Sequence, residues 1–141
     1  MNVWADEWGE QGEDWSGGGA LQKRFVESGH QLGASLYELG PGNFMIYHAH
    51  HGSEELLIVL RGRPTLRTPE GERRLDEGDV VHFPTGPAGA HGLRNETDAP
   101  VRYVVAGVRV SPEVVEYPDL KQVTGRSRHG IFFIHDVEEV R

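Results

Sequence analysis

The 141-residue sequence contains no cysteine. This absence excludes disulfide bonds, metal sites built from thiolates and catalysis by a cysteine nucleophile. Basic residues are also scarce, since 14 lysines and arginines stand against 22 acidic residues and give a formal net charge of −8. A charge of this sign disfavours nucleic acid and anionic membranes as partners.

Long apolar runs are missing as well. No stretch approaches the about 20 apolar residues that a membrane-spanning helix needs. The first ten residues, MNVWADEWGE, lack the basic and hydrophobic regions of a secretory signal. We therefore expect a cytoplasmic protein with no membrane partner, and the length suits one domain around one core.

Helical periodicity is absent from every long stretch, whereas short runs of β-branched, aromatic and aliphatic residues recur between glycines and prolines. This alternation is typical of a sandwich or barrel. The predicted strands cover 32–39, 44–48, 55–60, 64–68, 79–83, 101–110 and 131–134. The sequence TPEG at 68–71 predicts a hairpin turn. The fold class is all-β.

The first twenty residues differ in composition from the rest, because they hold three tryptophans and five acidic residues but no basic one. We expect an arm that packs its indoles (Trp4, Trp8 and Trp15) onto the barrel or a partner, since exposing them to water is costly. An unpacked acidic arm is the alternative. The predicted sections are the arm at 1–20, a barrel at 21–118 and a C-terminal extension at 119–141 with one further strand.

The run ELLIVL at 55–60 is apolar on both faces of the predicted strand. Glu55, Leu57 and Val59 share one face, and the three intervening aliphatic residues share the other. A strand that is apolar on both faces needs a cover on each. A second sheet, the arm or another subunit could supply the outer cover, and we expect a homodimer.

Histidines and carboxylates crowd the segment just before that strand, in the sequence HAHHGSEE at 48–55. Side chains two apart on a strand point the same way, so His48 and His50 present two imidazoles to one side. Gly52 permits a tight reversal that would return Glu55 beside them. Because buried polar groups need partners, the cluster predicts a metal site.

Two spacings in the chain resemble the two signatures of the cupin family. The first signature is matched by Gly42, His48, His50, Glu55 and Gly62. The second is matched by Gly78, Pro84, Gly86, His91 and Asn95. The resemblance covers roughly 32–118. The one departure is that four residues separate Gly86 from His91 where the usual pattern has two.

The resemblance implies a jelly-roll β-barrel that holds one divalent metal ion per chain through His48, His50, Glu55 and His91. The metal could be zinc, iron, manganese or nickel, because imidazole and carboxylate ligands suit all four. Four protein ligands would complete a tetrahedral zinc shell. The same four on an octahedral ion would leave two positions for water, oxygen or a substrate. The sequence leaves both arrangements open.

The predicted function is that of a small metal-dependent enzyme, isomerase- or dioxygenase-like, which acts on a small polar or sugar-like molecule. The alternatives are non-catalytic binding or sensing of a small molecule, and a metal that only stabilises the barrel. No general base is evident, because the residues predicted to face inward beside the ligands are all apolar (Phe44, Ile46, Leu57 and Leu93). Among the other polar residues, we expect Glu54 to lie on the surface, His82 to be a hydrogen-bonded wall residue and Asn95 to form a turn.

Overall fold

Twelve β-strands and two short 3₁₀ turns form the part of the chain that the computed structural model describes, which is residues 1–8, 18–27, 29–127 and 129–137 without the side chains of 132–134. The strands are β1 (Leu21–Arg24), β2 (Leu32–Leu39), β3 (Phe44–His50), β4 (Glu55–Arg61), β5 (Thr65–Thr68), β6 (Gly71–Arg74), β7 (Val80–Phe83), β8 (His91–Arg94), β9 (Val101–Val108), β10 (Glu113–Tyr117), β11 (Gln122–Ser127) and β12 (Gly130–Asp136). The 3₁₀ turns span Pro87–Gly89 and Pro118–Leu120. None of the described segments is a helix long and apolar enough to cross a membrane.

The strands form two antiparallel sheets. The five-stranded sheet has the order β1-β2-β9-β4-β7, and the seven-stranded sheet has the order β12-β11-β10-β3-β8-β5-β6. Side chains from both sheets meet in one core, which contains Leu39, Leu57, Val59, Leu66, Leu75, Phe83, Leu93, Val101 and Tyr103. Burying a large apolar side chain contributes about 1.5–3 kcal/mol, so this core holds the two sheets together. The predicted all-β jelly-roll class is confirmed.

Each of the seven predicted runs overlaps one strand, with bounds that differ by at most two residues at either end, but five further strands (β1, β6, β8, β10 and β11) had no clear apolar signal. The C-terminal extension contains two strands where the sequence predicted one. β11 pairs with β10 and β12, and its sequence QVTGRS carries a glycine and a single valine. Pairing with its neighbours, rather than its own hydrophobicity, makes this segment a strand.

A β-bulge in β3 changes which of its residues face the core. Met45 pairs with Leu93 and His48 pairs with His91, so β3 has one more residue between these pairs than β8 does. Met45 consequently packs against the core, and Phe44 is 40% exposed. The prediction that Phe44 faces inward beside the histidines is therefore wrong, because the bulge breaks the period of two.

The N-terminal residues 1–8 lie against the outer side of the five-stranded sheet, around Arg102 of β9. The buried Arg102 guanidinium donates hydrogen bonds to Asp6 and to Glu38, at 2.7 Å each, and to the Val3 carbonyl oxygen at 2.8 Å. It also lies 5.0 Å from the ring centroid of Trp8. Residues 9–17, which include Trp15, lie outside the described residues, so the predicted packing of the whole arm stays a prediction.

Part of the apolar outer face of β4 is exposed to solvent. Leu56 is 37% exposed, and the neighbouring Val80 and Val108 are 57% and 50% exposed. The inner face carries the buried Leu57 and Val59, as the sequence pattern predicts. The homodimer expected from the two apolar faces of β4 stays a prediction.

Candidate metal centre

Three predicted ligands converge inside the barrel. His48 and His50 point inward from β3, and Glu55 reaches them from the start of β4 in the opposite sheet. One ligand atom from each of these residues lies within 4.8 Å of the other two. The fourth predicted ligand, His91 on β8, is the register partner of His48, and their ring centroids are 4.6 Å apart.

The Nδ1 atoms of His48 and of His91 each contact a backbone carbonyl oxygen. Nδ1 of His48 lies 2.7 Å from the Ile46 carbonyl oxygen, and Nδ1 of His91 lies 2.8 Å from the Gly89 carbonyl oxygen. A carbonyl oxygen only accepts, so each Nδ1 carries the proton. In the neutral ring, Nε2 then has a lone pair that is available to a metal ion.

Burial keeps these two imidazoles neutral. Desolvation lowers the pKa of His48 to about 3, and positive charge on His91 or His50 would lower it further. Desolvation also lowers the pKa of His91, although the Glu55 carboxylate works in the opposite direction. Both rings are therefore in the form that coordinates a metal at neutral pH.

His50 lies between two carboxylates. Its Nε2 is 2.5 Å from Oε1 of Glu55, and its Nδ1 is 3.1 Å from Oε1 of Glu113. Burial works against the charged imidazolium, but the hydrogen bonds to Glu113 and Glu55 raise the pKa of His50 to about 9. Burial would raise the pKa of Glu55, yet the same contact with His50 lowers it to about 2.

The donor set fits a divalent metal ion. Nε2 of His91 is buried and has no hydrogen-bond partner among the described residues, which is costly unless another group satisfies it. Two imidazole nitrogens and one carboxylate oxygen lie within 4.8 Å of one another, from two sheets, while the His91 ring lies beside His48 outside that group. Imidazole with carboxylate suits the transition metals considered above. A metal ion would take the place of the proton between His50 and Glu55.

The loop before His91 explains the longer spacing in the second signature. Pro87–Gly89 forms a 3₁₀ turn, and this turn supplies the Gly89 carbonyl oxygen that holds His91. Gly86 N–H donates to the His50 carbonyl oxygen at 2.7 Å, which ties the loop to β3. The ring of Phe83 stacks on His91 at 3.6 Å between centroids. The insertion therefore positions a predicted ligand.

Polar residues on β1 and β2 form a wall that sequence reasoning missed. The Gln22 amide donates to Oγ of Ser35 at 3.3 Å and to Oη of Tyr37 at 3.0 Å. The three side chains share the inner face, because Gln22 is the register partner of Tyr37 and Tyr37 packs against the core. The barrel interior therefore has polar side chains beside the apolar residues that the sequence predicted, and the Glu55 carboxylate acts electrostatically on one of them, Tyr37.

The remaining polar residues take structural positions. Glu54 and His82 are exposed and pair with each other at 3.0 Å, so Glu54 lies on the surface as expected, and His82 is hydrogen-bonded there. Asn95 is buried, donates to the Leu39 and Ala99 carbonyl oxygens and accepts from Thr97, as expected for a turn residue. Glu113 was missed, because the sequence does not show that β10 lies beside β3.

Comparison with known proteins identifies relatives at the level of family and fold. The cupin domain family matches residues 35–107, which is more than half of the chain. A cupin-superfamily sugar phosphate isomerase from Silicibacter pomeroyi is 29% identical, with a TM-score of 0.78 over 84% of this chain and 76% of that chain. A protein from Acidithiobacillus ferrooxidans, provisionally named a sugar phosphate isomerase, is 27% identical, with a TM-score of 0.77 over 86% of this chain and 81% of that chain.

Two further comparisons show how far the similarity to known proteins extends. A polyketide cyclase from Streptomyces resistomycificus is 19% identical, with a TM-score of 0.58 over 67% of this chain and 68% of that chain, and shares the fold alone. No curated protein matches the sequence significantly.

Proposed function

Since the chain belongs to the cupin family, we propose that it is a metal-dependent isomerase that acts on a sugar phosphate or a similar small hydroxylated carbonyl compound. Two solved structures that superpose on more than four fifths of the chain carry names of this activity, and both exceed a quarter in sequence identity. The convergence of His48, His50 and Glu55 inside the barrel is the observation that carries the function.

The metal ligands in this proposal are His48, His50, Glu55 and His91, with one divalent ion per chain. Zinc, iron, manganese and nickel are the candidates. When bound, such an ion polarises a carbonyl group and so makes the adjacent carbon more acidic. The protein supplies neutral His48 and His91 and an ionised Glu55, and the buried apolar residues Leu57 and Leu93 belong to the core of the same barrel.

Tyr37 is the residue to which we assign a hydrogen bond with the substrate. Desolvation raises its pKa and the Glu55 carboxylate raises it further, so the hydroxyl keeps its proton and lies within electrostatic reach of the ligand cluster. Its oxygen accepts from Gln22, and the hydroxyl also hydrogen-bonds with the Ser35 side chain. A carbonyl or hydroxyl oxygen of the substrate would replace Ser35 as the partner of this hydroxyl.

The test combines metal loading with a panel of aldose and ketose phosphates. The purified protein is loaded separately with each candidate metal, and proton–deuterium exchange at C1 and C2 of each sugar phosphate is followed by NMR in D₂O. We expect metal-dependent exchange that is lost in His91→Ala, reduced in Tyr37→Phe and retained in His82→Ala, whose imidazole lies on the outer surface.

Other outcomes separate the alternatives. Saturable binding of a sugar phosphate without proton–deuterium exchange, at full metal occupancy, would indicate a non-catalytic binding protein instead of an enzyme. Exchange that persists in His91→Ala and in the presence of a chelator would overturn the metal-dependent reaction.

A further inference from the structure

The three imidazoles of the site are held at Nδ1 in two different ways. His48 and His91 each donate to a backbone carbonyl oxygen two residues earlier in the chain. His50 instead contacts the carboxylate of Glu113, which is 63 residues away in sequence, at 3.1 Å. Among the three imidazoles, only His50 has its Nδ1 hydrogen-bonded to a side chain, and that side chain belongs to β10.

We propose that Glu113 is a positioning residue, which fixes the ring of His50 so that Nε2 faces the metal ion. A carboxylate that accepts from Nδ1–H selects the tautomer, sets the ring orientation and makes Nε2 a stronger donor to a metal. This inference rests on the metal site proposed above and adds a residue that neither signature contains.

Glu113 is itself held in place, as a positioning residue must be. β10 pairs with β3, with Val115 opposite His50, and the Glu113 side chain is only 11% exposed. Ser53 and the Gly52 N–H, both from the turn between β3 and β4, also hydrogen-bond to its carboxylate. The same carboxylate therefore links β10, the turn and His50.

β10 makes a second histidine–glutamate contact, with the residue that follows β3, and this contact provides a matched control. Nε2 of His51 lies 3.0 Å from Oε2 of Glu116, and the two side chains are 41% and 25% exposed. This pair joins β10 to the residue directly after β3, again through an imidazole and a carboxylate, but His51 belongs to no ligand cluster among the described residues. A contact that matters only for strand pairing would therefore behave alike at both positions.

The experiment compares Glu113→Gln and Glu113→Ala with Glu116→Gln and Glu116→Ala. Zinc and cobalt affinities are measured by competition with a chromophoric chelator. We expect Glu113→Ala to weaken binding by about 10- to 100-fold, as is typical when the partner of a ligating histidine is removed. Glu113→Gln should lose less, because its amide oxygen still accepts a hydrogen bond, and both Glu116 variants should stay within about twofold of wild type.

A spectroscopic readout separates positioning from a loss of folding. In the zinc-loaded protein labelled at histidine nitrogen, the Nδ1–H resonance of His50 should shift in Glu113→Gln, while those of His48 and His91 stay in place. The isosteric Glu113→Gln keeps the test valid if Glu113→Ala does not fold.

Equal metal affinities for the Glu113 and Glu116 variants, with an unchanged His50 resonance, would overturn the role of Glu113 and leave the metal site intact. A wild-type protein that binds neither zinc nor cobalt would instead overturn the site itself, and the role of Glu113 with it.

Discussion

His48 and His91 are direct register partners on neighbouring strands, and their ring centroids lie 4.6 Å apart. The contact leaves Nε2 of His91 buried and without a hydrogen-bond partner among the described residues. A metal ion held by His91 would remove the cost of that unsatisfied nitrogen. The pairing of β3 with β8 thus brings His91 beside the ligands on β3.

Replacing His91 should remove metal binding and the stability that comes with it. A ligand that binds only the folded state stabilises it by about 2.7 kcal/mol at a free concentration of 100 times its dissociation constant. We expect zinc at that excess to raise the melting temperature of the wild type by several degrees and to have little effect on His91→Ala. Glu54→Ala, which changes an exposed carboxylate, is the control and should respond to zinc like the wild type. One full equivalent of metal bound to His91→Ala at wild-type affinity would contradict the assignment.

Gly89 should tolerate no side chain, although its position in the sequence looks like an ordinary loop. A Cβ at this position would overlap the carbonyl group of Pro84, and opening the turn would move the carbonyl oxygen that holds His91. We expect Gly89→Ala to lower the free energy of unfolding by about 1–3 kcal/mol and to weaken zinc binding. Gly40→Ala is the control, because its Cβ would meet only the Asn43 side chain at 3.5 Å. Equal denaturation midpoints for the two variants would show that the turn is not constrained.

The sequence predicted those parts of the site that depend on local periodicity. His48 and His50 share a face because they are two apart on a strand, and Glu55 follows across a short turn. The resemblance to a family added His91. These inferences needed no knowledge of which distant strands pair.

Long-range pairing and irregular backbone account for what the sequence did not show. Glu113 reaches His50 because β10 lies beside β3, and Tyr37 faces the barrel interior from a strand in the opposite sheet. The bulge after Met45 changed the direction of Phe44 without any glycine or proline to mark it. A period of two gives the direction of a side chain only while the strand stays regular.

The outer face of β4 should form a dimer interface with a second copy of the chain. Leu56, Val80 and Val108 leave an apolar surface exposed on the described part of the five-stranded sheet, and such patches favour association. We expect light scattering to give about twice the 15.7 kDa of one chain, and the double variant Leu56→Glu, Val80→Glu to give one chain's mass. The control is Leu120→Glu, which changes an exposed leucine in the turn after β10. A wild-type mass of one chain at micromolar concentration would refute the dimer.

The docking of the N-terminal residues onto Arg102 should weaken in acid. The hydrogen bond and the charge of Arg102 lower the pKa of Asp6, burial opposes this, and Arg61 and Lys23 lower the pKa by smaller amounts. Because the docked pKa lies below the ordinary value, Asp6 favours docking fully above about pH 4 and loses that contribution as the pH falls toward the docked pKa. Glu38 also faces Arg102, so part of the contact should survive protonation of Asp6.

Fluorescence of Trp8 reports this step, because its ring lies near both Arg102 and Lys23. In a background of Trp4→Phe and Trp15→Phe, we expect a change in Trp8 emission below about pH 4 that precedes loss of the far-UV circular dichroism signal. Asp6→Asn should show the low-pH emission already at neutral pH, and most of the change in Trp8 emission below about pH 4 should be absent. Asp119→Asn is the matched control, because Asp119 also has a pKa lowered by an arginine, Arg67, but lies on the seven-stranded side of the barrel. A step of unchanged size in Asp6→Asn would show that another group controls the docking.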